Sequence, residues 1–157
     1  MLERRSFRPI TVAMARKFTQ SIGLALKYLH EHDIIHRDVK LENVMLTSTM
    51  EESCEAKLTD FGLALKMNEI DRAKPAGTLG YAAPEIMTGS LPQDKYSDIW
   101  SLGCLLYVML TLKMPCHSFG NVLMNDNNDS NAFVNLQRLK EVPDVDQNCI
   151  HLLEQML

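Results

Sequence analysis

No C-x-x-C pair occurs in the sequence: its four cysteines, Cys54, Cys104, Cys116 and Cys149, are scattered. That spacing excludes the usual zinc frameworks and a disulfide scaffold, and reads as reduced thiols in a cytosolic or nuclear protein. A basic excess is also missing, since 16 Lys and Arg stand against 20 Asp and Glu for a formal net charge of −4. Without a basic footprint, neither nucleic acid nor an anionic membrane is an expected partner. Long hydrophobic runs are absent too. The longest, Ile99 to Leu112, is broken by Ser101, Gly103 and Thr111 and falls short of the about 20 residues that cross a bilayer. Being apolar all round, it reads as a core helix. Near the N-terminus, Glu3, Arg4, Arg5 and Arg8 are followed by no apolar stretch of the signal-peptide kind, so no export is expected. Asn128-Asp129-Ser130 fits a glycosylation sequon, but short sequons recur by chance and nothing else points to secretion.

What is present suffices for one globular unit: 157 residues, 46% of them hydrophobic. From Thr11 to Glu31 the apolar residues Val12, Ala15, Phe18, Ile22, Ala25 and Leu29 recur at three- and four-residue steps, with Thr11 placed as N-cap. A long amphipathic helix is predicted. Short strand-like pieces follow at Asp33 to Ile35, Val44 to Leu46 and Ala56 to Thr59, separated by polar loops. Gly77 to Gly89 reads as irregular backbone, Ser97 to Thr111 as the buried helix, and Asn125 to Asn131 as a solvated loop. Ser130 is a candidate cap for a helix from Asn131 to Glu141. The last segment, Asn148 to Leu157, places Ile150, Leu153 and Leu157 on one helical face. Both ends are expected to be cut, because the chain opens on a helix with no sheet-forming sequence before it and stops inside another.

His36-Arg37-Asp38-Val39-Lys40-Leu41-Glu42-Asn43 carries the pattern H-R-D-x-K-x-x-N. Five fixed positions in eight rarely coincide, and here the chain resembles the eukaryotic serine/threonine protein kinases. Asp60-Phe61-Gly62 is similar to the D-F-G motif and Ala83-Pro84-Glu85 to A-P-E. Alone, D-F-G is an ordinary turn. Set 22 residues beyond Asp38, with two strand-like pieces between, it has the spacing a hairpin needs to fold back beside the catalytic loop.

The resemblance implies roles residue by residue. Phosphoryl transfer needs a carboxylate to orient the attacking hydroxyl and take its proton, and a cation to offset charge on the moving group. Asp38 and Lys40 resemble that pair. Asn43 and Asp60 resemble the oxygen ligands of Mg2+ bound with ATP. Met45 corresponds to the floor beneath the adenine, His36 and Phe61 to a stacked hydrophobic spine, and Gly62 to a hinge. Asp98 matches a buried aspartate that anchors the catalytic-loop backbone. The plainer reading, a helix cap, can coexist with it. Gly77-Thr78-Leu79-Gly80-Tyr81 is similar to the loop that receives the protein substrate. Thr78 with Lys40 indicates Ser/Thr rather than Tyr specificity, as does the lack of Pro at Leu79-Gly80. His30 and His32, near His36, sit at a helix end where a surface or dipole contact is expected rather than a metal.

The implied fold is mainly α, a kinase-like C-lobe whose short β-hairpins carry the catalytic loop and D-F-G, with the N-lobe absent and residues 1–157 forming a partial domain. Gly23 is the sole glycine before His36 and lies inside the helical pattern, so no phosphate-covering loop is expected, nor the strand lysine with its helix glutamate. Glu85 is expected to lack the late arginine that partners it in the family. The implied activity is transfer of the ATP γ-phosphate to Ser/Thr of protein substrates. The alternative is a non-catalytic interaction or pseudokinase fragment. Cys104 to Pro115 is similar to NIMA-related kinases, and Asp38 to Asn43 equally to calcium/calmodulin-dependent or AMP-activated ones. Finally, Leu63 to Ala76 contains no Ser, Thr or Tyr. Arg37, which in such kinases pairs with a loop phosphate, would meet Glu69 or Asp71 instead, or only backbone and solvent.

Overall fold

The computed structural model describes residues 10–48, 53–70, 76–90, 92–116 and 134–157. Helix α1, Val12–Glu31, is capped by Thr11, whose hydroxyl accepts the Met14 amide at 3.3 Å. Its buried stripe is Ala15, Phe18, Ile22 and Leu26. Leu26 thus takes the central place expected of Ala25 and Leu29, which are only partly buried.

The chain then makes two small antiparallel pairs. Strand β1 (Ile34–Ile35) pairs with β4 (Leu65–Lys66), with Ile34 opposite Lys66. Between them β2 (Val44–Leu46) pairs with β3 (Ala56–Leu58), with Met45 opposite Lys57. The second hairpin returns the chain from Asp38 to Asp60. Strand β4 was not expected: a two-residue strand has no detectable alternation, and its pairing is decided by the distant β1.

Pro84 and Glu85 open α2 (Pro84–Thr88), a single turn and a half closed by Gly89 in the left-handed conformation. The irregular stretch expected over Gly77 to Gly89 therefore contains a helix, with Pro in its favoured first-turn position and Gly at its end. Helix α3, Lys95–Thr111, starts two residues earlier than expected because Asp94 caps it, accepting the Tyr96 amide at 2.8 Å. Ser101 to Leu110 are buried without a break, as an apolar-all-round helix requires.

Where an α-helix to Glu141 is expected, Val134 makes an isolated bridge to Cys116 and Gln137–Glu141 is a 3-10 helix. The Asn135 side chain accepts the Gln137 amide at 3.0 Å, which gives the backbone a local alternative to an α-helix. Residues 125–131, with Ser130, lie outside the described residues. Helix α4, Gln147–Met156, is capped by Asp146 and inserts Leu153 into the core. It lies so close to α3 that a Cβ on Gly103 would sit 2.9 Å from Leu157. The core joins α1, α3 and α4 through Phe18, Ile22, Leu26, Leu105, Leu106 and Leu153. All four cysteines are free thiols, and no described helix is long and apolar enough to cross a membrane.

Candidate active site

The site is built on the loop between β1 and β2, above the start of α3. Asp98, only 1% exposed in the first turn of α3, accepts the His36 amide on Oδ2 and the Arg37 amide on Oδ1, each at 2.9 Å. The cap is Asp94, so Asp98 is free to turn inward. A carboxylate at that depth needs donors on both oxygens. A third donor is His30, whose Nε2 lies 2.8 Å from Asp98 Oδ2. His30 is therefore not the surface residue expected: Phe18, Ile22 and Leu26 recur every four residues, and the next step of that buried stripe is position 30. His32 instead stacks on Tyr28 at the helix end, with ring centroids 4.3 Å apart.

Held this way, Arg37 adopts φ of +70°, an uncommon conformation for a side chain with a Cβ. His36 is fully buried; its Nδ1 accepts the Asp38 amide at 3.3 Å and its Nε2 donates to the Thr59 carbonyl at 3.1 Å. Those two bonds select the Nε2–H tautomer. The Phe61 ring meets the His36 ring edge-on at 5.1 Å, while remaining 52% exposed.

The Asp38 carboxylate is the centre of a compact set. Thr78 Oγ1 donates to Oδ1 at 2.6 Å, Lys40 Nζ lies 2.7 Å from Oδ2, and Asn43 Nδ2 donates to Oδ2 at 3.0 Å. Lys40 also donates to Thr78 Oγ1 at 2.8 Å, closing a triangle. Burial alone pushes the Asp38 carboxyl up; hydrogen bonds from Lys40, Thr78 and Asn43, with the Lys40 charge, outweigh it and hold the group below its ordinary range. Asn43 gives its second amide hydrogen to the Asp38 carbonyl at 2.8 Å. Its Oδ1 has no partner among the described residues.

Asp60 is tied to the same loop through its neighbour: the amide and hydroxyl of Thr59 both donate to the Asn43 carbonyl, at 2.8 and 3.0 Å. The left-handed residue at this turn is Asp60 itself, φ +61°, while Gly62 makes the close approach. The Gly62 amide donates to Asp60 Oδ1 at 3.1 Å, and a Cβ on Gly62 would crowd that oxygen at 3.1 Å. The hinge expected at Gly62 is thus a tight turn shared with Asp60, whose short side chain tolerates that conformation. Met45 lies on β2, 62% exposed. Glu85 is half-buried in α2, and no cation among the described residues pairs with it.

Arg37 does not meet Glu69. Its Nε donates to Gln93 Oε1 at 2.7 Å and its Nη1 reaches the Leu63 carbonyl at 3.5 Å; Asp71 lies outside the described residues. Burial lowers the Arg37 pKa and the Asp98 charge partly restores it. Gln93 and His30 are the site residues that motif reading missed. Ser101 adds a tie from α3, its hydroxyl 2.8 Å from the Tyr81 carbonyl. Among the described residues no group of three or more His, Cys, Asp or Glu could hold a metal by itself.

The loop, the hairpin and the Asp98 anchor together define one site. The chain belongs to the protein kinase domain family, which matches it over residues 1–157. It is 42% identical over 102 residues to the carbon catabolite-derepressing protein kinase of Candida glabrata, covering 64% of this chain and 16% of that protein. It is 43% identical over 110 residues to the serine/threonine-protein kinase PLK4 of Xenopus tropicalis, covering 69% and 11%. With the mitogen-activated protein kinase kinase kinase 4 of Mus musculus it shares 39% over 112 residues, covering 66% and 7%. These identities do not single out a subgroup. The matched region is about a sixth or less of each relative's length.

Proposed function

We propose that this chain is the C-terminal lobe of a serine/threonine protein kinase and carries the groups that transfer the γ-phosphate of ATP to a Ser or Thr hydroxyl of a protein substrate. The observation that supports this most directly is the triangle of Asp38, Lys40 and Thr78. An ionised carboxylate at the centre of that triangle is suited to orient an incoming hydroxyl and accept its proton as the new O–P bond forms and the bond to ADP breaks. Lys40 supplies a positive charge beside the moving phosphoryl group. Asn43 keeps Asp38 aimed through its two amide hydrogen bonds.

The donor set also fits Mg2+, a hard cation that takes oxygen ligands and keeps several waters and substrate oxygens. Among the described residues the amide oxygen of Asn43 is unpartnered, and the exposed Asp60 carboxylate is engaged by the Gly62 amide through Oδ1. Asn43 and Asp60 would hold the ion, which would offset negative charge on the phosphates. Met45, exposed on β2, supplies apolar surface suited to a nucleotide base, and the Gly77 to Tyr81 loop beside Thr78 is suited to receive the substrate peptide.

The experiment is phosphate transfer from labelled ATP to Ser- and Tyr-containing peptides by the full-length protein. Transfer to Ser or Thr that is lost in Asp38→Asn supports the reading. A wild-type protein that binds partners but transfers nothing would establish the non-catalytic alternative.

A further inference from the structure

Gln93 belongs to no motif, yet it connects two of them. Its side chain is 8% exposed and both ends of the amide are used. Oε1 accepts the Arg37 Nε hydrogen at 2.7 Å, and Nε2 donates to the Ala76 carbonyl at 3.1 Å. The neighbouring residue, Gly77, lies against the same arginine: its φ is +132°, and a Cβ there would stand 3.2 Å from the Arg37 carbonyl oxygen. Two residues beyond Ala76, Thr78 is bonded to Asp38. The contacts of the substrate-side loop with the catalytic loop therefore include Thr78 on Asp38 and, through Gln93, Ala76 on Arg37.

The chemistry of the bridge specifies an amide. A guanidinium needs an acceptor and a carbonyl needs a donor, and one uncharged amide meets both demands. A carboxylate at this position would keep the first bond and set two acceptors against each other at the second. An apolar side chain of the same length would make neither bond. A phosphate on residues 63–76 cannot perform this tethering, because that stretch contains no Ser, Thr or Tyr.

We propose that Gln93 is a positioning residue: by bridging Arg37 and Ala76 it holds the Gly77 to Tyr81 loop against the catalytic loop, so that Thr78 stays seated on Asp38 without a loop phosphate. The kinetic consequence rests on the reading of Asp38 as the catalytic carboxylate; the structural one does not.

The test uses the full-length protein with Gln93→Met, which keeps the length and removes both bonds, and Gln93→Glu, which keeps only the acceptor for Arg37. Hydrogen exchange is read at the Tyr81 and Ala82 amides, both bonded to the Thr78 carbonyl at 3.0 Å. Exchange at these two amides should rise about tenfold in Gln93→Met and also rise in Gln93→Glu, while amides in the middle of α3 stay at the wild-type rate. In the kinase assay KM for the peptide should rise more than KM for ATP. Unchanged exchange at Tyr81 and Ala82, or an equal rise throughout α3, overturns the proposal. If Gln93→Met does not fold, Gln93→Glu decides by the same criterion. Selective exchange without phosphate transfer by the wild type would sustain the bridge and overturn the kinase reading instead.

Discussion

His30 and Asp98 lie 68 residues apart in sequence and meet at 2.8 Å, the histidine from the last turn of α1 and the aspartate from the first turn of α3. The contact joins the two longest described helices directly beneath the loop that carries Asp38. Since the same carboxylate holds the His36 and Arg37 amides, the helix packing and the shape of that loop are one structural problem.

Asp98→Ala should therefore destabilise the fold by about 3–5 kcal/mol, the cost of stranding buried donors. His30→Ala removes one donor and leaves the carboxylate two, so its cost should be about 1–3 kcal/mol. Urea denaturation checks both, and a double-mutant cycle should show strong coupling. Equal effects for the two single variants would contradict this ranking.

The depressed pKa of Asp38 makes stability depend on pH in one direction. Its folded value lies below the unfolded value of about 3.9, so its contribution is fully present above about pH 5 and is lost as pH falls through the folded pKa. Asp38→Asn should flatten the acid limb of a plot of urea midpoint against pH. Lys40→Met should move the Asp38 titration upward, as followed by carboxyl carbon NMR, because it removes both a donor and a positive charge.

Asp60→Ala should separate activity from folding. Its side chain is exposed and among the described residues bonds locally to the Gly62 amide, so the melting temperature should move by only a few degrees. Turnover by the full-length protein should fall by about a hundredfold or more. Near-normal turnover would remove Asp60 from the proposed magnesium ligands.

Loop phosphorylation should be dispensable. Leu63 to Ala76 offers no acceptor, and Arg37 is already engaged by Gln93. Phosphatase treatment of the purified full-length protein should leave its activity intact. Loss of activity, restored by phosphate mapped between Asp60 and Glu85, would refute this. Thr78→Glu should inhibit, because it puts a second carboxylate beside Asp38.

The 157-residue polypeptide assayed by itself should transfer no phosphate to a generic basic protein. Its one glycine before His36 is Gly23, inside α1, so it carries no glycine-rich loop ahead of the His36 motif to align the phosphates, and alignment of reactants accounts for roughly 7–11 kcal/mol of such barriers. Transfer abolished by Asp38→Asn would overturn the expectation.

The family, the long helices and the grouping of Asp38, Lys40 and Asn43 are legible in the amino-acid sequence, because they depend on short-range pattern: a 3.6-residue period, Thr11 before a helix, and eight contiguous residues from His36 to Asn43. The sequence also placed Asp98 correctly in register, from the residues flanking it. Which distant groups complete the site is set by how the elements pack. Strand β4 exists because β1 is beside it, His30 meets Asp98 because α3 packs against the inward face of α1, and Gln93 spans Arg37 and Ala76 because the chain brings both within reach. A buried polar group takes whichever partner the packing delivers, at whatever separation along the chain, and no local pattern records that choice.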